Sequence, residues 1–271
     1  MSDPSSFLSA AEQKLASEFL NDGYVINNVE DVEALEEIRS FYAKTAAVLL
    51  GKKAEDAAVF LNNAHHYVGM EKLNEWRLAI IQRANSLEHF RRLYFSLARQ
   101  SIEALVGNEL AMQTRINLSI QFPNDNSSLL PIHADVWSGD SPFEVVVWVP
   151  LVDCFGTKSM FLLPPKPAKE LHSRFSDFKG KDSESIFKNI ESKLHWIDIA
   201  YGQVLVFNQT LPHGNRINKE SETRWSLNCR FKSIFSPYRD KKLGEFFEPV
   251  TLRPASRIGM NYRYPKLEGL P

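Results

Sequence analysis

The chain has 271 residues, enough for one large domain with a sizeable hydrophobic core or for two small domains. Hydrophobic residues make up 44% and charged residues 24%, which is ordinary for a soluble globular protein. The formal net charge of −1 provides no electrostatic basis for binding nucleic acid or an anionic membrane.

The cysteines and the hydropathy of the sequence indicate the cellular compartment of the protein. Cys154 and Cys229 both lie in or beside apolar strand patterns, which favours buried reduced thiols over a disulfide. No apolar run approaches the length of a membrane span, and the first residues show no basic stretch followed by an apolar segment. We therefore expect a cytoplasmic protein, a compartment that suits reduced thiols.

The first 110 residues have helical periodicity. Ser9 and Glu12 are spaced as a capping box at the start of the first helix. Four helices are predicted: Ala10 to about Asn21, roughly Val32 to Leu50, Leu73 to Ala84, and Leu87 to Val106.

From residue 111 the pattern changes to short strands. The run 115–122 alternates, and we place its apolar face, which includes Ile116 and Ile120, against the helices. Its polar face, which includes Asn117 and Gln121, then faces either a barrel interior that holds polar ligands or the solvent. The run 143–151 is strongly apolar and indicates a central strand.

The order of helices and then about eight strands predicts a mainly β fold with flanking helices, namely a double-stranded β-helix (a jelly-roll barrel) backed by N-terminal α-helices. We expect a single domain over 1–271. It comprises helical support over 1–110, a barrel core over 111–240 and a C-terminal wrap over 241–271. The charged segment 165–195 reads as an insertion that acts either as a lid or as a solvated cover.

The segment Pro131-Ile-His-Ala-Asp-Val-Trp137 places His133 and Asp135 two residues apart. On a β-strand, residues i and i+2 share one face, so both side chains can reach one ion, and His213 from a distant strand can complete the set. Two histidines and one carboxylate with open positions are typical of non-haem Fe(II) oxygenases. An H-x-D triplet alone is weak, and a lone histidine is more often a hydrogen-bonded residue than a ligand.

A second signal is the alternating strand 224–231. One face carries only polar residues, namely Arg224, Ser226, Asn228 and Arg230. Two arginines on one face of such a strand suit a pocket that binds a carboxylate, because the guanidinium matches it with two hydrogen bonds. Arg230 either meets an anionic substrate group such as a phosphate or pairs with a buried acid such as Glu144.

The loop that follows the H-x-D triplet is rich in glycine, aspartate and proline. Loops on rigid scaffolds often carry function, so Trp137, Ser138 and Asp140 are candidate substrate contacts.

These residues resemble those of the Fe(II)/2-oxoglutarate-dependent dioxygenases of the phytanoyl-CoA hydroxylase-like branch. More narrowly, the chain is similar to the bacterial 2-oxoglutarate oxygenases of carbohydrate-biosynthesis clusters. The resemblance runs from about Phe7 to the C-terminus. Its motifs are Asn117-Leu-Ser-Ile-Gln121, the run 133–142, Trp148-Val-Pro-Leu151, Thr157-Lys-Ser-Met160 and His213-Gly-Asn-Arg-Ile-Asn218.

The resemblance implies a catalytic centre in which His133, Asp135 and His213 hold Fe(II), with 2-oxoglutarate as co-substrate and O2 as oxidant. Arg224, assisted by Ser226, would bind the far carboxylate of 2-oxoglutarate. The remaining residues that the resemblance places toward this co-substrate are Asn117, Gln121, Trp148 and Asn215.

The expected reaction is hydroxylation of a sugar or a sugar-derived small molecule. Three alternatives stay open: a hydroxylase of an amino acid or other small metabolite, a non-catalytic ligand-binding barrel of the same fold, and a metal-dependent isomerase, which would have no use for Arg224. We expect a small-molecule partner, no nucleic acid and no membrane, and a homo-oligomer stays open as an alternative to a monomer.

Overall fold

The computed structural model describes residues 7–265, and within this range helices precede two antiparallel sheets. The first part of the chain contains α1 (Ala10–Asp22), β1 (Tyr24–Asn28), α2 (Val32–Val48), α3 (Ala57–Asn62), α4 (Met70–Asn85), α5 (Phe90–Ser96) and α6 (Arg99–Val106). The later helices are α7 (Pro165–Ser173), α8 (Ser183–Ile190) and α9 (Pro254–Asn261).

The strands form a large and a small antiparallel sheet. They are β2 (Leu110–Gln113), β3 (Asn117–Gln121), β4 (Glu144–Pro150), β5 (Phe161–Leu162), β6 (His195–Trp196), β7 (Gln203–Asn208), β8 (His213–Gly214), β9 (Arg224–Ser233) and β10 (Phe247–Thr251). The large sheet has the order β1-β7-β4-β9-β2-β10, with β3 also paired to β9, and the small sheet has the order β6-β5-β8.

The helix boundaries follow local sequence signals at some ends and tertiary contacts at others. The Ser9 hydroxyl and the Glu12 carboxylate form the predicted capping box of α1. The single helix predicted over 87–106 is wrong, because the chain breaks at Ala98 (φ −146°, ψ 27°). The Glu30 carboxylate accepts the backbone N–H of Gln100, so a residue distant in sequence caps α6.

The core lies between the helices and the large sheet. Trp225 of β9 is fully buried and contacts Trp76 of α4 edge to face at 5.4 Å. Its neighbour across the ladder, Ile120 of β3, is also fully buried. The alternation of these strands therefore directs one face to the helices and the opposite, polar face to the space between the two sheets.

The insertion packs on the small sheet. Phe187 of α8 contacts Phe161 of β5 with ring centroids 5.4 Å apart. Both belong to a buried cluster that includes Leu171 of α7, Ile190 of α8 and Leu211. The sequence indicates a helix from Ser183 to Leu194, and the α-helix ends at Ile190. The insertion thus covers this sheet with apolar side chains of its own.

The two cysteines are free and buried, as predicted, and burial raises the pKa of each thiol to about 12. Neither thiol is therefore a nucleophile at neutral pH. Within residues 7–265, no helix is both long enough and apolar enough to traverse a lipid bilayer.

Candidate metal centre

The three predicted metal ligands converge at one point between the sheets. His133, Asp135 and His213 each offer a ligand atom, and these atoms lie within 4.8 Å of one another. The imidazole ring centroids of the two histidines are 4.3 Å apart, and Nε2 of His133 is 3.7 Å from Oδ1 of Asp135. An ion with bonds of about 2 Å bridges such distances after small side-chain adjustments.

The backbone that carries His133 and Asp135 differs from the prediction of a regular strand. His133 forms one isolated antiparallel bridge with His213, in which each backbone N–H donates to the carbonyl of the other residue. Asp135 opens a short 3-10 turn that ends at Ser138, and Gly139, which follows it, has a φ of 88°. The convergence therefore comes from the bridge to β8 and the turn that follows, and not from strand periodicity.

Backbone carbonyls orient both imidazoles. Nδ1 of His133 is 2.8 Å from the carbonyl oxygen of Pro131, and Nδ1 of His213 is 2.9 Å from that of Leu211. Because a carbonyl oxygen only accepts, each Nδ1 carries a proton, and in the neutral ring Nε2 is then the nitrogen that has a lone pair for a metal. A hydrogen bond from the other ring nitrogen to a backbone carbonyl is typical of metal-binding histidines, and it fits the donor set to a divalent transition metal.

The local electrostatics keep His213 and Asp135 in their metal-binding protonation states. Burial lowers the pKa of His213 to about 4, so its ring is neutral at physiological pH. Burial alone would raise the pKa of Asp135, but the neighbouring His213 and Arg230 outweigh it and hold that pKa below its ordinary value. A neutral imidazole and an ionised carboxylate are the forms that bind metal.

Arg230 forms an ion pair with Asp135. Its Nη2 lies 2.8 Å from Oδ2 of Asp135, and its Nε lies 3.4 Å from Oδ1 of Asp140. Asp140 in turn pairs with Lys241 at 2.8 Å. Glu144, the partner named as an example from the sequence, instead accepts hydrogen bonds from Gln209 and the backbone of Ser141.

A cavity of about 420 Å³ opens beside these ligands, a size typical of small-molecule sites. Both sheets contribute to its wall. The lining residues that sequence patterns singled out are Asn117, His133, Asp135, Trp148, His213, Asn215, Arg224, Asn228 and Arg230.

The ladder between β3 and β9 builds the polar wall. Asn117 lies opposite Asn228, and the two amides share a hydrogen bond of 3.0 Å. Ser119 lies opposite Ser226 and accepts a hydrogen bond of 2.9 Å from Nη2 of Arg224. Cross-strand pairing thus explains why polar residues distant in sequence share this wall.

Arg224 is almost completely buried at 3% exposure, which lowers the pKa of its guanidinium to about 10 and leaves it charged at neutral pH. Nη1 donates to the carbonyl of Ser159, and Nε has no hydrogen-bond partner among the described residues. No carboxylate within residues 7–265 forms an ion pair with it, unlike Arg230. A buried cation with an unsatisfied donor in a cavity wall fits an anionic ligand.

Other predicted cofactor contacts are less direct. Gln121 is fully buried, lies outside the cavity wall and donates to the carbonyl of Arg216. The Asn215 amide is satisfied by the backbone of Leu130 and Ser128, so it positions that segment. Ser226 is fully buried, and its hydroxyl has no partner among the described residues.

The three predicted loop contacts to substrate lie outside the cavity wall. Trp137 packs against Phe175 of the insertion with ring centroids 4.8 Å apart. Asp140 is 1% exposed and engaged in its two ion pairs, and Ser138 ends the short 3-10 turn. Sequence reasoning chose them for their loop composition, but the fold uses that loop to hold the insertion and Arg230.

Ser119 and Arg77 also line the cavity, and neither was given an individual role from the sequence. Ser119 was recognised only as part of an alternating face, and its contact with Arg224 depends on strand register. Arg77 of α4 lines the cavity from the helical layer, and a helical arginine carries no sequence signal for such a role.

No family model matches the sequence, and no curated protein matches it. Solved structures do match. The non-heme monooxygenase ThoJ in complex with Ni has a TM-score of 0.54 at 18% identity, over 93% of this chain and 89% of ThoJ. The apoform of EctD from S. alaskensis has a TM-score of 0.53 at 15% identity, over 85% of this chain and 79% of EctD.

This chain has the fold of those proteins. A third neighbour, HygX from Streptomyces hygroscopicus with nickel and 2-oxoglutarate bound, has a TM-score of 0.50 at 13% identity, over 87% of this chain and 90% of HygX. The matches confirm the predicted double-stranded β-helix with flanking helices. At these identities the likeness concerns the fold, and function must be argued from the site.

Proposed function

We propose that this chain is an Fe(II)- and 2-oxoglutarate-dependent oxygenase. One observation carries the proposal: two imidazoles and a carboxylate, whose ligand atoms lie within 4.8 Å of one another, share a cavity with a buried guanidinium that has no carboxylate partner among the described residues. This combination matches the ligand set of non-haem Fe(II) oxygenases and a dicarboxylate co-substrate. The folds of ThoJ with Ni and of HygX with nickel and 2-oxoglutarate support it.

Metal binding and 2-oxoglutarate binding are assigned to different residues. Nε2 of His133, Nε2 of His213 and a carboxylate oxygen of Asp135 would hold the metal, and three ligands leave positions open for further ligands. When bound, Fe(II) would supply O2-dependent oxidation of a C–H bond coupled to decarboxylation of 2-oxoglutarate to succinate and CO2. Arg224 would bind the far carboxylate of 2-oxoglutarate, and Ser119 and the carbonyl of Ser159 fix the guanidinium.

The remaining wall is suited to orientation and to exclusion of water. Trp148 of β4, Phe207 of β7 and Met160 provide apolar surface beside the polar β3–β9 wall. The ring centroids of Phe207 and His213 are 5.0 Å apart, so Phe207 limits the motion of this proposed metal ligand. The amide pair of Asn117 and Asn228 offers hydrogen-bonding groups to a bound molecule.

For the substrate we propose a sugar or a sugar-derived small molecule that becomes hydroxylated, on the resemblance of the sequence motifs to carbohydrate-cluster oxygenases. The second candidate is an amino acid or another small metabolite, because EctD was also solved with 2-oxoglutarate and 5-hydroxyectoine, which is not a sugar. A panel of free sugars, nucleotide sugars and amino acids, scored by stimulated succinate formation, separates the two. Stimulation by amino acids alone would overturn the carbohydrate assignment.

We also propose that the protein acts in the cytoplasm, in agreement with its two free, buried cysteines.

The ion pair of Arg230 with Asp135 predicts a role in metal binding. Arg230→Ala frees Oδ2 of Asp135, so the carboxylate loses its fixed orientation and Ni(II) affinity is expected to fall about 10- to 100-fold. Isothermal titration with Ni(II) measures the effect, and thermal unfolding reports whether the variant folds. Arg230→Lys should restore part of the affinity because it retains the charge.

Lys241→Ala is the matched control for this prediction. Lys241 binds the far side of Asp140 and does not pair with Asp135, so its removal should change Ni(II) affinity less than threefold. Equal losses in Arg230→Ala and Lys241→Ala would show a general effect on the loop and refute the positioning role.

A further inference from the structure

The cavity contains one more arginine, which comes from the helical layer. Arg77 of α4 lines the cavity and is half-buried. Its neighbour Trp76 fixes the helix, because the indole N–H donates to the carbonyl of Ala46 at 3.1 Å and the ring contacts Trp225. Trp225 adjoins Arg224 in β9, so the packing holds Arg77 at a defined place in the wall.

Arg77 has no anionic partner in the part of the chain that the structure describes. Nη2 donates to the neutral side-chain oxygen of Asn74 at 2.8 Å, and no carboxylate within residues 7–265 forms an ion pair with it. Arg230, by contrast, pairs with Asp135 and Asp140. The donors of Arg77 are therefore available to a bound molecule, and the planar guanidinium favours an oxyanion.

On the basis of the proposed function, the balance of charge in the cavity also favours an anionic ligand. A dianionic 2-oxoglutarate would offset a divalent metal, and Asp135 offsets Arg230, while Asp140 is shared with Lys241. Arg224 and Arg77 then leave the cavity positive. Within the cavity this excess of positive charge favours a ligand that carries negative charge in addition to 2-oxoglutarate.

We infer that the substrate carries an anionic group, a carboxylate or a phosphate ester, and that Arg77 binds it and so determines specificity. This deepens the proposed function, because it names the chemical class of the molecule that the oxygenase would oxidise. It also reassigns a role: an anionic contact was one option for Arg230 from sequence, whereas Arg230 is occupied by the protein's own carboxylates.

The test uses small probes that make no assumption about the rest of the substrate. Full-length protein is loaded with Co(II) and 2-oxoglutarate, and loading is verified by isothermal titration. Inorganic phosphate, acetate and neutral acetamide are then titrated, and broadening of the phosphate phosphorus signal and of the methyl proton signals reports binding near the paramagnetic ion.

We expect the signals of phosphate, of acetate or of both to broaden saturably, and the signal of acetamide to stay unchanged. The anion that binds more tightly shows whether the substrate group is a phosphate ester or a carboxylate. Arg77→Gln should weaken anion binding at least tenfold. Arg83→Gln, an exposed arginine on the same helix, is the control and should not change it.

Failure of the inference and failure of the proposed function are distinguishable. The inference alone is overturned if protein that loads with Co(II) and 2-oxoglutarate shows no saturable anion binding. It is also overturned if the Arg77→Gln variant binds the anions as tightly as the wild-type protein does. Failure of the folded protein to load overturns the proposed function and the anion site with it. Thermal unfolding of Arg77→Gln separates a lost contact from a lost fold.

Discussion

His213→Ala is expected to lower Ni(II) or Fe(II) affinity by at least tenfold, a loss of at least about 1.4 kcal/mol. The ring of His213 is oriented by the carbonyl of Leu211 and neutral at physiological pH, so its loss removes one of three ligands from a preorganised set. The same variant should form little or no succinate from 2-oxoglutarate, since two side chains would retain the metal poorly. Isothermal titration and a succinate assay measure the two effects.

His195→Ala is the control for the loss of an imidazole. His195 lies on β6 of the same small sheet, is exposed and belongs to no metal-binding cluster of the described residues, so its replacement should leave metal affinity unchanged. Undiminished metal binding by a folded His213→Ala protein would refute the ligand assignment. Equal losses in both variants would indicate a general effect on the small sheet.

Arg224→Ala is expected to weaken 2-oxoglutarate binding about 10- to 100-fold, because a hydrogen bond to a charged group contributes about 1.5–3 kcal/mol. Metal affinity should be unchanged, since Arg224 does not contact the three ligands. Arg224→Lys keeps the charge but loses the fork geometry, so it should recover only part of the affinity. Titration of the Ni(II)-loaded protein with 2-oxoglutarate gives the dissociation constants directly.

The matched control is Arg216→Ala. Arg216 pairs with Glu184 of the insertion and lies outside the cavity wall, so 2-oxoglutarate affinity should be retained. Unchanged 2-oxoglutarate binding in a folded Arg224→Ala protein would remove the guanidinium from its proposed role and with it the strongest argument for this co-substrate.

Local patterns predicted much of the fold. The Ser9–Glu12 capping box starts α1 as expected, since both groups act within one helical turn. The alternation of β9 separates core residues such as Trp225 from polar residues such as Arg224, because side chains on a strand point alternately to its two faces.

Long-range contacts account for the features that were mispredicted. The break at Ala98 depends on Glu30, which caps α6 from about 70 residues away. The backbone at His133 depends on its bridge to His213, and periodicity within the segment cannot report that bridge.

The site shows the same division. The metal ligands and Arg224 could be proposed from sequence because their residue types are distinctive, and their roles stay predictions that the variants above test. The pairing of Arg230 with Asp135 could not be proposed from the sequence, because it depends on the turn after Asp135 and on the register that places Arg230 opposite Val146. Arg77 gave no signal, since its role comes from where α4 packs.

The central claim is that three side chains hold Fe(II) beside a site for 2-oxoglutarate. Simultaneous measurement of O2 uptake and succinate formation by the protein, with and without added Fe(II), tests it most directly. With ascorbate added as the reductant that accepts the second oxidising equivalent in place of a substrate, we expect succinate to form from 2-oxoglutarate with matching O2 uptake, to depend on Fe(II) and to disappear in His133→Ala. Folded protein that binds Fe(II) but neither binds nor consumes 2-oxoglutarate would contradict it.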